Sequence, residues 1–305
     1  MHNRPFTDTV RVWHSRQAMM EGTESRFGTY TSENTMNGFV LRLIAMLTML
    51  LDHIAWSFLP DPMVLTWIGR IAFPLYAFLL ADGFLFVKGD AKRLTHHVAI
   101  LLVLAIVSEP CFDFMDYGFD FSRYMDFQSN IITLLLGYLA LIATNALAPD
   151  GRLSLKAGRR LNTAAIVSAY VLASITNFLV KGNFNLVGPL LVIALYWYDR
   201  AARGIGHGNK PWPIPRRLIA LVAIFLAYLI VYFWARADFG GVDAWWGQVS
   251  SRAPWIVGHF LALLIICLYD GTLGYHEKWF ARLYTAFYPL HLFVIGMINM
   301  LLSAL

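Results

Sequence analysis

Residues 38–59 read GFVLRLIAMLTMLLDHIAWSFL. Apolar side chains fill this run over the roughly 20 residues that a helix needs to cross about 30 Å of hydrocarbon. Arg42, Asp52 and His53 interrupt it. Ionisable groups inside a bilayer are costly enough to be functional candidates by default. Taken this way, the run is a membrane span with polar groups placed for a purpose.

Eight further hydrophobic segments follow, at about 64–87, 94–112, 129–148, 161–180, 184–199, 216–235, 254–270 and 282–304. The composition agrees: 58% of residues are hydrophobic and 14% charged, against roughly 25% charged in ordinary soluble domains. The predicted fold class is all-α, a polytopic transmembrane helical bundle of about nine helices. Residues 38–305 form the membrane domain, with the lipid bilayer as its surroundings. The net charge of +5 does not indicate nucleic acid as a partner, because the basic residues are scattered between hydrophobic runs, where orientation in the bilayer explains them better.

Of the 24 Lys and Arg, 18 lie in residues 1–37 and in the loops near 88–93, 149–160, 199–217 and 271–282, while the alternate loops hold only Arg123, Lys181, Arg236 and Arg252. Arg42 and Arg70 lie inside segments. The positive-inside rule then predicts a cytoplasmic N-terminus and an external C-terminus in the cell (inner) membrane. The acidic stretch 113–127, with Asp113, Asp116, Asp120 and Asp126, falls on the outer side. Residues 1–37 contain no apolar core for a signal peptide and read as a flexible cytoplasmic tail. Met36 directly precedes the first hydrophobic run and is an alternative point at which translation starts.

Cys111 and Cys267 fall near opposite membrane faces, so no disulfide is expected between them. Neither His-Glu-x-x-His nor paired Cys-x-x-Cys occurs, and no metal is expected. A phosphate-binding Gly-x-x-x-x-Gly-Lys-Ser/Thr loop and a Gly-x-Ser-x-Gly elbow are also absent from the sequence. The chemistry therefore belongs to the few ionisable groups in the membrane segments.

Helix geometry sorts these groups by depth. Arg42 and His53 are eleven residues apart, about 16 Å of rise and about 1100° of rotation, which puts them within roughly 20° of one face. They are expected to face one cavity, Arg42 toward the cytoplasm and His53 toward the outside. The second segment runs the other way, so Arg70 reaches the depth of His53 and Asp82 that of Arg42. Glu109 and His259 project to the outer layer, and His291 lies nearer the middle. Two stations result: an inner Arg42/Asp82 pair, and an outer cluster of Asp52, His53, Arg70, Glu109 and His259. Structural readings stand beside these. Arg42, Arg70 and Asp82 could snorkel to the interfaces, His53 could make a neutral interhelical hydrogen bond, His259 and His291 could be structural, and His96–His97 interfacial.

The runs MNGFVLRLIAMLTMLLDHIAWSF, IGRIAFPLYAFLLADGF, SEPCFDFMDYG and QSNIITLLLGYLALI, followed by NLVGPLLVIALYWY and AFYPLHLFVIG, resemble the TraX family, membrane proteins named for the F-pilin N-acetylating protein of conjugative plasmids. Asp82 departs from the Glu expected there before Gly-Phe, but the acid is retained. The spacing of Arg42 and His53 is also similar to the first-helix pattern of the type 3 integral-membrane acyltransferases. Both resemblances imply an acyl-CoA-dependent acyltransferase (EC 2.3.1-like). Its donor would be cytoplasmic acetyl-CoA or another acyl-CoA. Its acceptor would be an amine or hydroxyl of a membrane-associated or extracytoplasmic molecule, a pilin-like N-terminus among them.

Acyl transfer from a thioester needs a base for the acceptor's proton, and imidazole, with an ordinary pKa of about 6.5, is the best-matched side chain at neutral pH. His53 is the candidate base. Asp52 either touches its ring or pairs with Arg70. Arg42, Lys88, Lys92 and Arg93 supply cations for the donor's phosphates, and a polar shaft between the stations would let pantetheine reach His53. Arg42, Arg70, Asp82, Glu109, His259 and His291 are the substrate-binding candidates. A proton-coupled transporter is the competing reading, with Asp52, His53 and Glu109 relaying protons; an internal repeat would favour it, and none is evident. A non-enzymatic component of a secretion or pilus apparatus is a third.

Overall fold

The structure, a computed structural model, describes residues 36–59, 63–124, 127–147, 156–182, 184, 187–204, 211–234, 253–275 and 277–303. Most of the tail, Arg236, Arg252 and the stretch 149–155 lie outside the described residues. Ten helices are described: α1 Gly38–Phe58, α2 Met63–Gly69, α3 Ala72–Val87, α4 Ala91–Tyr117, α5 Asn130–Leu147, α6 Lys156–Leu179, α7 Val187–Ala202, α8 Ile214–Trp234, α9 Ala253–Cys267 and α10 Lys278–Ser303. Among the described residues there is no named strand, and the isolated bridge between Gln128 and Gly182 only ties two loops. Each of the nine hydrophobic segments contains a described helix, the second in two pieces.

That break has a covalent cause. Pro74 has no N–H to give to the carbonyl of Arg70, so the helical ladder loses a bond here, and in the first turn of α3 that loss costs little. The chain turns at Arg70 and Ile71, with the Ile71 N–H bonded to Ile68 O at 3.1 Å. Pro110 and Pro289 lie inside α4 and α10 without ending either helix. Helix α4 continues to Tyr117, beyond the 112 expected, so Asp113 and Asp116 belong to its last turns. Trp56 Nε1 donates to Asp116 there at 2.8 Å.

Caps fix the other ends. The Asn37 side chain accepts from Val40 N at 3.0 Å, and Asp90 accepts from Lys92 N and Arg93 N at 3.0 and 3.1 Å, each satisfying donors that a helix start leaves open. The loop after α9 is held to the start of α1 by Gly38 N to Thr272 O at 2.8 Å and Asp270 N to Met36 O at 3.0 Å.

Helix α3 is central. Two-thirds of the span Leu65–Val87 is buried, against 17% of Ile214–Val231 in α8. It packs on α1, α7, α5 and α9, and α10 lies along α4 and α1. Leu75, Phe78, Phe84, Leu41, Tyr138, Leu141, Leu195 and Leu292 form the most buried layer. The outward faces are also apolar: Val103 and Ile106 on α4, Leu172 and Leu179 on α6, Ile219 and Ile230 on α8, and Leu301 on α10 are all more than half exposed. In water each would forfeit about 1.5–3 kcal/mol of burial; against lipid they forfeit none. Five of the spans, α1, α2–α3, α4, α8 and α10, are long and apolar enough to cross a membrane.

Candidate active site

The base of α1 and the middle of α10 meet at two histidines. His53 Nδ1 lies 2.8 Å from His291 Nε2, and His291 Nδ1 lies 2.7 Å from the Phe287 carbonyl. A carbonyl can only accept, so His291 Nδ1 carries its hydrogen. In a neutral ring the Nε2 of His291 is then an acceptor and receives the Nδ1–H of His53. This assignment, which follows from the partners, leaves the lone pair of His53 on Nε2. Both rings are buried, stacked between Phe287 at 4.7 Å from His291 and Tyr288, whose ring stands edge-on to both.

Tyr288 joins this pair to a cavity of about 270 Å³ between α1, α3, α4, α5 and α10. Arg42, Gly83 and His97 line the end toward the basic loops. Tyr76, Tyr288, Leu104 and Ile131 line the deeper part, with Leu79, Leu80, Leu101 and Leu134 as apolar walls. The guanidinium of Arg42 lies 5.7 Å from the Tyr284 ring centroid, and Tyr284 stacks on Tyr76 at 5.7 Å. Arg42 therefore faces the cavity, while His53 lies behind Tyr288. The walls between them are largely hydrocarbon and phenol, where a polar shaft was expected.

Asp52 takes the second of its two predicted options. It pairs with Arg70 at 3.7 Å and not with the His53 ring. Gly69 lets this happen: a β-carbon there would meet the Asp52 side chain, and one at Gly258 of α9 would meet Arg70 and the Trp67 carbonyl. Three elements thus close on one ion pair. Glu109 lies one layer away, accepting from Ser129 N at 2.9 and 3.2 Å at the start of α5, where Asn130 N donates to Tyr288 Oη at 3.3 Å. His259, next to the Gly258 that packs on Arg70, is ringed by Trp255 at 4.2 Å, Phe184 at 5.6 Å and Tyr228 at 5.7 Å, with Nδ1 donating to the Trp255 carbonyl at 2.9 Å.

The inner station has a different partner from the one the sequence suggested. Asp82 is ion-paired with Arg203 of the α7–α8 loop and accepts from Tyr269 Oη at 3.3 Å, and Arg203 Nε also donates to Asp199 at 2.9 Å. Arg42 is left to the cavity. The sequence alone does not single out Arg203, Asp199 and Tyr269, because Arg203 serves equally well as a loop charge that orients the chain. The tyrosines had a usable signal: Tyr284, Tyr288 and His291 are spaced i, i+4, i+7, one face of α10. Near the same end, Lys88 Nζ and Arg200 Nη1 approach Tyr196 Oη at 3.5 and 3.4 Å.

Apolar outer faces, a buried histidine pair and an interior cavity define a multi-pass helical membrane protein with a polar site inside its bundle. Residues 37–299 match the model of the TraX protein family, and the chain belongs to that family. It is also 26% identical over 181 residues to a "Probable fimbrial assembly protein FimC, serogroup H1" of Dichelobacter nodosus, a match that covers 56% of this chain and 67% of that protein. No solved structure matches.

Proposed function

We propose that this protein is an integral-membrane acyltransferase that moves an acetyl group from acetyl-CoA to an amine or hydroxyl of a membrane-associated or extracytoplasmic acceptor. The observation that carries the reading is the His53–His291–Phe287 chain, which leaves Nε2 of His53 as a proton acceptor beside Tyr288, the residue that walls the cavity entered past Arg42. Both properties suit general-base catalysis: a fixed tautomer and a nearby place for the thioester.

In the reaction the acceptor's lone pair attacks the thioester carbonyl carbon. A C–N or C–O bond forms and the C–S bond breaks, its electron pair leaving on the sulfur of CoA. The acceptor's proton passes to His53 Nε2 and then to the departing thiolate. Arg42, with Lys88, Lys92 and Arg93 near the same end, binds the phosphates of the donor. The Asp52–Arg70 pair and Glu109 form the side that meets the acceptor. The distribution of basic residues supports placing the donor side in the cytoplasm, in the cell membrane. Family membership and the likeness to a fimbrial assembly protein support a pilin-like acceptor.

The test is transfer of radiolabel from acetyl-CoA into membranes that contain the protein, with membranes lacking it as the control. Label should appear in protein or lipid only when the chain is present. Proton or anion movement without label transfer would favour the transporter and contradict this reading.

A further inference from the structure

Helix α3 belongs to the most enclosed of the five long apolar spans, yet it has a gap on one face. Gly83 lines the cavity, and a β-carbon built on it meets nothing within 4 Å. Its neighbours in sequence behave oppositely: Asp82 and Phe84 are buried, at 4% and 0% exposure. A glycine inside a helix is unfavourable relative to alanine, and an unfilled space beside a packed core forfeits van der Waals contacts. Packing alone would therefore favour a side chain here.

Position explains the omission. Gly83 follows Asp82, at the depth of Arg42, and shares the cavity's entrance end with Arg42 and His97. The deeper end belongs to Tyr76, seven residues back along α3, and to Tyr288 of α10. A molecule that enters this cavity beside Arg42 runs alongside Gly83 on the way to Tyr288, behind which His53 lies.

We infer that Gly83 is a passage residue: its missing side chain leaves the width through which the pantetheine arm of an acyl-CoA reaches the histidine pair. This inference rests on the acyltransferase reading above. Because Gly83 lies along the arm and not at its acyl end, closing the passage should act equally on acetyl and longer acyl donors. It should act on donor binding and not on the acceptor.

The experiment compares wild type with Gly83→Ala and Gly83→Leu, each purified in detergent. Both variants should fold, with thermal unfolding midpoints at or above that of wild type, because the new side chain enters open space. KM for acetyl-CoA should rise about threefold in Gly83→Ala and about tenfold or more in Gly83→Leu, with KM for the acceptor unchanged and the same factor for a butyryl donor. Addition of CoA alone should raise the midpoint of wild type and not that of Gly83→Leu. Unchanged donor KM in stable variants would overturn the inference and leave the gap as a packing defect. Lower midpoints would overturn its geometric basis. A wild-type protein that CoA stabilises but that transfers nothing would defeat the acyltransferase reading alone; one that does neither would defeat both.

Discussion

His53 can act as a base only in one tautomer, and His291 selects it. Replacing His291 by Phe keeps a ring against Phe287 and Tyr288 but leaves the His53 Nδ1–H without its acceptor. We expect kcat to fall about 10- to 10²-fold with KM for acetyl-CoA unchanged, as measured by steady-state kinetics on purified variants. Equal kinetics would make His291 structural. Arg42 and Arg70 should separate by substrate. Arg42→Ala should chiefly raise KM for acetyl-CoA, since Arg42 lines the cavity, and Arg42→Lys should rescue only partly, because an ammonium cannot reproduce the planar fork of guanidinium on phosphate. Arg70→Ala leaves Asp52 unpaired and should lower kcat or weaken the acceptor. Saturation curves for each substrate on each variant decide this, and exchanged effects would invert the assignment. His53 and Arg42 were legible in the sequence because both lie on one helix, where spacing fixes direction. His291 as the partner was not, since a contact between residues 238 positions apart depends on how α10 packs.

Between elements, the Asp82–Arg203–Asp199 cluster joins α3, the end of α7 and, through Tyr269, the loop after α9. One guanidinium serves two buried carboxylates. Arg203→Ala removes the guanidinium that both carboxyl groups share and should cost about 3–5 kcal/mol, read as a lower thermal unfolding midpoint; adding Asp82→Asn and Asp199→Asn should restore part of it. Arg203→Ala with wild-type stability would mean the cluster does not bind these elements together. The sequence located the helices because apolar runs of membrane length are a strong signal. It also contained the cause of the break at Arg70, in Pro74, but periodicity alone does not reveal where one missing N–H turns a chain. The Asp82 partner was hidden for a different reason. A basic residue just past a helix end serves the orientation rule and an ion pair equally well, and only packing distinguishes them.

At the scale of the whole molecule, orientation follows from the loops. A reporter fused after Leu305 should be exposed outside the cytoplasm, and a label introduced at Lys88 should react only from inside. A cytoplasmic C-terminus would mean that one segment does not span. Helix α7, with 16 residues, gives only about 24 Å, and α9 is shorter still at 15 residues, so these two are the places to look. Both are well covered by neighbouring helices, which is how a short apolar helix remains inside a bundle without spanning the full bilayer.

We propose His53 as the base of an acyl transfer. The most direct measurement is single-turnover transfer from radiolabelled acetyl-CoA by the purified protein in liposomes, comparing wild type with His53→Ala. Transfer by wild type and a loss of about 10²-fold or more in the folded, inserted variant is the predicted result. Undiminished transfer by His53→Ala, or none by wild type, would contradict it.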